Sequence, residues 1–285
     1  MQPLSPFSPP EPRTEDGVVC WRDAIVASPE GFRPLTLDLF RPAAATGACP
    51  LIIWIHGGAW LSGTNKRESP ELAPARIGDR IIAAGYALAR VTYRLSGEAV
   101  FPAQLHDVKA AVRWLRHHAE PLGLDPDRFA VWGESAGGHL AALVALTGTA
   151  GSPDAVQAGV LWYAPSNLLS MDAQNHPQSP LDHNAPESPE SRLIGGPVQL
   201  LPEEAATASP VTYATAAAPP LLLVHGDDDR VVPDGQTREL HELLESLGAP
   251  VELEIVPGAD HCFTGGDLTP LVADGLEFLG RSLPG

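Results

Sequence analysis

The chain has 285 residues, 44% hydrophobic and 19% charged, the composition of a folded globular protein and not of a disordered one. Acids outnumber bases 35 to 18, for a formal net charge of −17, a field that repels nucleic acid and anionic membrane, so neither is expected as a partner. No apolar run approaches the about 20 residues of a membrane span, and no secretory h-region opens the chain, so a cytoplasmic protein is expected.

Residues 1–16 read as a Pro-rich arm without periodicity, and residues 17–285 as one domain. Val18–Ala27 and Leu35–Phe40 carry β-type patterns. Leu51–Ile55 is a continuous, β-branched-rich apolar run, as in a strand covered on both faces. Arg76–Ala84 predicts a helix closed by Gly85, and Tyr86–Tyr93 the next strand. Leu105, Val108, Val112 and Leu115 recur at helical spacing, ahead of a stop at Gly123. Phe129–Trp132 predicts a short strand, Leu140–Leu146 a helix and Ala158–Tyr163 a strand. From Pro165 to Pro210 the periodicity fails. A structureless loop of that length is unusual inside a compact domain, so the segment at about 165–210 reads as a small cap insertion. Order returns with a strand at Leu221–Val224, a helix at Thr237–Leu247, a strand at Val251–Val256 and a helix at Leu268–Leu279. This alternation predicts an α/β fold with a mostly parallel central sheet flanked by helices.

Four short segments carry chemistry. Gly133-Glu134-Ser135-Ala136-Gly137 directly follows one strand and precedes a helix. In that context the central serine is exposed on a sharp turn that demands tiny neighbours, and it reads as a nucleophile. His56-Gly57-Gly58-Ala59-Trp60 follows the buried strand. Its bare backbone suits oxyanion donors, expected to be the N–H groups of Gly58 and Ala59 beside that of Ala136. His56 reads as a brace for the loop; Trp60 either walls the acyl pocket or packs in the core. In His225-Gly226-Asp227-Asp228-Asp229, the spacing does not fit an EF-hand, and Asp229 is the acid expected to orient a histidine. Gly258-Ala259-Asp260-His261-Cys262 follows the last strand, and His261 is the expected general base, since a serine hydroxyl is a poor nucleophile until a base takes its proton. The order Ser135, Asp229, His261 is that of α/β-hydrolases. Cysteines 20, 49 and 262 give neither a disulfide framework nor a zinc set.

Together these segments resemble the α/β-hydrolase esterases related to hormone-sensitive lipase, most of all the branch of bacterial acetylxylan and feruloyl esterases and similar carboxylesterases. The resemblance spans roughly residues 17–280. It rests on HGGAW at 56–60, FPAQLHDVKAAVRWLR at 101–116, LDPDRFAVWGESAGGHLAAL at 124–143, ESRLIGG at 190–196, ASPVTY at 208–213, HGDDDRVVP at 225–233 and DHCF at 260–263. It implies an α/β-hydrolase fold and a serine hydrolase of small-molecule carboxylic esters that needs no cofactor and no metal. Ala59 stands where many relatives have a third glycine, a change that backbone donation tolerates. Glu134 and Cys262 are expected in the substrate pocket with Trp60. The few apolar stretches at 165–210, where substrate choice is expected to reside, favour short acyl chains. Asp182-His183-Asn184 either line the site or form a polar surface loop. Alternatives are an arylformamidase-like amide hydrolase, a thioester or lactone hydrolase, and an inactive hydrolase-fold binding module. The oligomeric state is not legible.

Overall fold

The computed structural model describes residues 7–283. Nine strands form one sheet: β1 (Arg13–Glu15), β2 (Val18–Ala27), β3 (Leu35–Pro42), β4 (Cys49–Ile55), β5 (Ala87–Val91), β6 (Leu124–Glu134), β7 (Ala158–Trp162), β8 (Leu221–Gly226) and β9 (Val251–Val256). Their spatial order is β1-β2-β3-β5-β4-β6-β7-β8-β9. The first three pairings are antiparallel, and every pairing from β5–β4 to β8–β9 is parallel. The helices are α1 (Ile77–Ala83), α2 (Ala103–His117), α3 (Ala119–Leu122), α4 (Ala136–Thr147), α5 (Pro189–Ile194), α6 (Pro202–Thr207), α7 (Gly235–Ser246) and α8 (Leu268–Ser282). This is the α/β-hydrolase architecture expected from the sequence. Among the described residues no helix is long and apolar enough to cross a membrane.

The parallel strands are apolar throughout because helices cover both faces of the sheet. Side chains alternate across the sheet, so each strand feeds two cores. Leu51, Ile53 and Ile55 of β4 join Phe129 and Val131 of β6 and Leu221 and Leu223 of β8 on one face. Ile52, Trp54, Ala130, Trp132, Leu222 and Val224 join on the other. On that second face Trp54, Trp132 and Trp162 stand on three neighbouring strands with ring centroids 5.1–6.2 Å apart. Helix α8 closes over them, and Gly275 is where it meets Trp132: a Cβ there would overlap the indole.

One expectation needs revision. The arm is not patternless along its described length: Arg13–Glu15 pairs with β2 as an edge strand, and the Phe7 carbonyl accepts the Trp114 indole N–H at 2.7 Å. Residues 1–6 lie outside the described residues. The stretch at 165–210 holds α5, α6 and two 3-10 turns, Asp172–Gln174 and Val198–Leu200, and a third begins at its end, Pro210–Tyr213. It is fastened to the sheet domain through Gln236, whose Oε1 accepts the N–H groups of Ser166 and Asn167 at 2.9 and 2.8 Å.

Candidate active site

Strand β6 runs straight into α4, and Ser135 is the single residue between them. Its backbone is held at φ 54°, ψ −123°, a sparsely populated conformation costing on the order of 1–3 kcal/mol. The turn closes only because its flanks are bare. A Cβ on Gly133 would overlap the Gly137 carbonyl, and one on Gly137 would overlap that of Ile55.

Ser135 Oγ lies 3.1 Å from His261 Nε2, and His261 Nδ1 lies 2.7 Å from Asp229 Oδ2. Three side chains from widely separated positions in the chain thus form one continuous hydrogen-bonded line above the carboxyl ends of the parallel strands, where open α/β sheets place their ligands. Asp229 is buried. Its Oδ1 accepts the N–H groups of Val231 and Val232, both at 2.8 Å. Burial pushes its pKa up, but the hydrogen bonds from His225 and His261 outweigh that and hold the carboxyl well below the usual range. Asp227 and Asp228 turn away, accepting from Gly258 N–H and the Arg230 guanidinium at 2.6 Å each.

His225 is a member of this cluster that the motif reading passed over. It lies 3.2 Å from Asp229 Oδ2 and is fixed by Thr237 Oγ1 at 2.6 Å and the Val232 carbonyl at 2.9 Å. The available signal was its place at the end of a buried strand, four residues before the acid.

The His56–Trp60 loop is braced from both sides. His56 stacks on Tyr93 with ring centroids 4.5 Å apart and donates from Nδ1 to the Gly57 carbonyl at 2.8 Å. Burial lowers its pKa to about 4, against a smaller opposing effect of that carbonyl, so it is neutral near pH 7. Tyr93 donates its hydroxyl to the His56 carbonyl at 2.9 Å. Gly58, Ala59 and Trp60 then take φ of 101°, 55° and 57°. Among the described residues the N–H groups of Gly58, Ala59 and Ala136 donate no hydrogen bond.

Trp60 packs in the core, 1% exposed, and is no part of the cavity wall. Its indole N–H donates to His139 Nδ1 at 3.2 Å, and His139 Nε2 lies 2.6 Å from the Ala208 carbonyl. Burial lowers the His139 pKa to about 4, with the Ala208 carbonyl opposing; its single proton therefore sits on Nε2 and is donated to that carbonyl. The chain Trp60–His139–Ala208 ties the loop, helix α4 and the 165–210 segment together.

Ser135 and His261 open on a cavity of about 570 Å³. Gly58, Ala59, Glu134 and Cys262 line it, as do Leu61, Ser62, Arg67, Glu71 and Val231. Burial pushes the Cys262 thiol up to about 12, with Glu134 and Glu71 adding to the effect, so it remains protonated. The side wall comes from residues 61–71, and no residue from 165–210 contributes. That corrects the expectation that the insertion shapes the pocket; its α5 region instead lines a neighbouring cleft of about 370 Å³ that shares Leu61. Within the insertion Asp182 is exposed while His183 is buried, 3.2 Å from Glu190, so these residues neither line the cavity nor form a wholly exposed loop. Among the described residues no group of three or more His, Cys, Asp or Glu side chains is placed to hold a metal ion.

The family described as BD-FAE matches residues 37–244. Among curated proteins the chain is similar to Esterase LipQ of Mycobacterium tuberculosis, 32% identical over 82% of this chain and 55% of that one. It spans little more than half the length of the first such relatives it matches. Among solved structures it is similar to a truncated carbohydrate esterase from gut microbiota, with a TM-score of 0.80 and 29% identity over 95% of this chain and 99% of that one. It is also similar to an acetyl ester-xyloside bifunctional hydrolase from Caldicellulosiruptor lactoaceticus, with a TM-score of 0.67 and 26% identity over 90% of this chain and 88% of that one.

Proposed function

The chain belongs to the BD-FAE family of α/β-hydrolases, and from this we propose that it is a serine carboxylesterase acting on short-chain esters of hydroxyl-rich alcohols. The observation that carries the reading is the Ser135–His261–Asp229 line, at 3.1 and 2.7 Å. In the proposed reaction Ser135 Oγ attacks the ester carbonyl carbon as His261 Nε2 takes its proton. Asp229, acceptor-only at neutral pH, fixes the His261 tautomer with the proton on Nδ1 and stabilises the imidazolium. The negative charge that develops on the carbonyl oxygen is held by the N–H groups of Gly58, Ala59 and Ala136. Collapse of the tetrahedral intermediate breaks the ester C–O bond, and His261 returns the proton to the departing alcohol. Water then repeats the sequence on the acyl-enzyme, releasing the acid and restoring Ser135.

Support for a small acyl group comes from the cavity wall. Its apolar surface is limited to short side chains such as Ala59, Leu61 and Val231, and no Phe, Tyr or Trp lines it. Ser62, Thr64, Arg67 and Ser69 supply hydrogen-bonding groups suited to a polyol or sugar. The similarity to a hydrolase named for an acetyl ester points the same way.

The test is turnover of p-nitrophenyl acetate, butyrate and palmitate, with fluorophosphonate labelling. Acetate and butyrate are expected to be hydrolysed and palmitate hardly at all. Ser135→Ala is expected to abolish labelling and to cost on the order of 10⁴–10⁶ in kcat. A Ser135→Ala variant retaining a tenth of the activity sinks the nucleophile assignment, and equal turnover of palmitate sinks the short-chain assignment.

A further inference from the structure

Among the described residues Glu134 is the one buried acid on the cavity wall, and the reaction above gives it no task. It immediately precedes Ser135, yet its side chain crosses to the other oxyanion strip. Oε1 accepts the Gly57 N–H at 2.8 Å. The contact is close: a Cβ on Gly57 would stand 2.5 Å from Oε2 and 2.9 Å from the Glu134 carbonyl oxygen. The Gly57 backbone therefore lies directly on this residue.

The next two residues are Gly58 and Ala59. A glycine pair has no side chains to restrict φ and ψ, so the direction of the following N–H groups depends on how the pair is anchored. Tyr93 secures the carbonyl side of the loop, at His56. Glu134 secures the N–H side, at Gly57. We infer that Glu134 is a positioning residue, whose carboxylate aims the Gly58 and Ala59 N–H groups at the substrate oxygen and loses part of that hold when it takes up a proton. This rests on the esterase reading above.

The groups facing the carboxyl fix its charge. Burial raises its pKa most, and Glu71 adds to the rise; the Gly57 N–H, His261 and the Tyr163 hydroxyl oppose it, leaving it at about 7. Cys262 and Tyr93, which also feel its charge, have their own pKa values raised by burial and stay neutral. Above that pH the bond to Gly57 is charge-assisted. Below it the bond is between neutral groups and roughly half as strong. The aim matters because the donors act on charge that appears only in the transition state, so a loosened loop lowers kcat and leaves KM nearly alone.

The experiment compares wild type, Glu134→Ala and Glu134→Gln on p-nitrophenyl acetate from pH 5 to 9, with fluorophosphonate labelling of each. Glu134→Ala is expected to lose about 10- to 100-fold in kcat at pH 8 with KM within about twofold. Glu134→Gln keeps an oxygen for the Gly57 N–H and is expected to recover most of that loss. Its kcat is also expected to fall less than that of wild type between pH 8 and 6, since a glutamine takes up no proton there. Wild-type kcat in Glu134→Ala, or a loss confined to KM, overturns the inference. Should Glu134→Ala not fold, the glutamine variant decides, and a pH profile parallel to wild type overturns the inference. Wild type that neither labels at Ser135 nor turns over ester overturns the esterase reading and this inference with it; normal labelling with unchanged kcat overturns the inference alone.

Discussion

Ser135 holds its strained backbone in the resting protein, so the strain weighs on stability whether or not substrate is present. Glycine adopts that conformation without a Cβ penalty. Ser135→Gly is therefore expected to unfold at a higher temperature than Ser135→Ala, although both lack the hydroxyl; equal melting points would show that the turn is unstrained. Glu134 has a parallel cost. Its pKa in the folded protein is raised from 4.5 to about 7, so folding takes up a proton between those values. Stability conferred on the neutral acid is full below the lower value, declines as pH rises through the window and stays reduced above it. Glu134→Gln removes the charged form. It is expected to raise the melting temperature at pH 8 by the equivalent of up to a few kcal/mol and to change it much less at pH 5. A larger gain at pH 5 would reverse the sign of the argument.

Helix α8 meets the sheet through Gly275, whose Cα faces the Trp132 ring. Gly275→Ala is expected to destabilise the fold despite alanine's better helix propensity, by about 1–3 kcal/mol of overpacking, seen as a lower midpoint in urea. The elements that the sequence revealed are those with a strong local pattern. Leu51–Ile55 and Leu221–Val224 are runs buried on both faces, and the α2 stripe at Leu105, Val108, Val112 and Leu115 recurs along one helix face. The serine, acid and histidine were legible because each follows a strand end in a glycine-bearing turn. Other features had no such signal. Strand β1 is three exposed residues, and α5 and α6 have six residues each, too few to establish a period. The wall at residues 61–71 has neither periodicity nor a motif, and its part in the cavity depends on how the chain crosses the site. Trp60 ends the His56–Trp60 loop, but with φ of 57° its indole turns into the core, a direction that spacing alone does not encode.

The charge of −17 surrounds a cavity that itself contains Glu71 and Glu134. An ester bearing a carboxylate approaches against that field. Its kcat/KM relative to a neutral ester of similar size is expected to rise as salt goes from about 0.01 M to about 0.15 M, while the Debye length shrinks from roughly 30 to 8 Å. A ratio insensitive to salt would place the governing charges on the face away from the entrance. The tryptophans give the molecule a separate property. All six indoles are buried, and three of them crowd together on the α8 side of the sheet. Shielded from water, they are expected to emit towards the blue end of the tryptophan range, and the crowded trio is expected to couple its excitations into a circular-dichroism band. The native fold thus carries its own optical gauge: loss of the α8 core decouples the trio, and complete unfolding shifts the emission to the red.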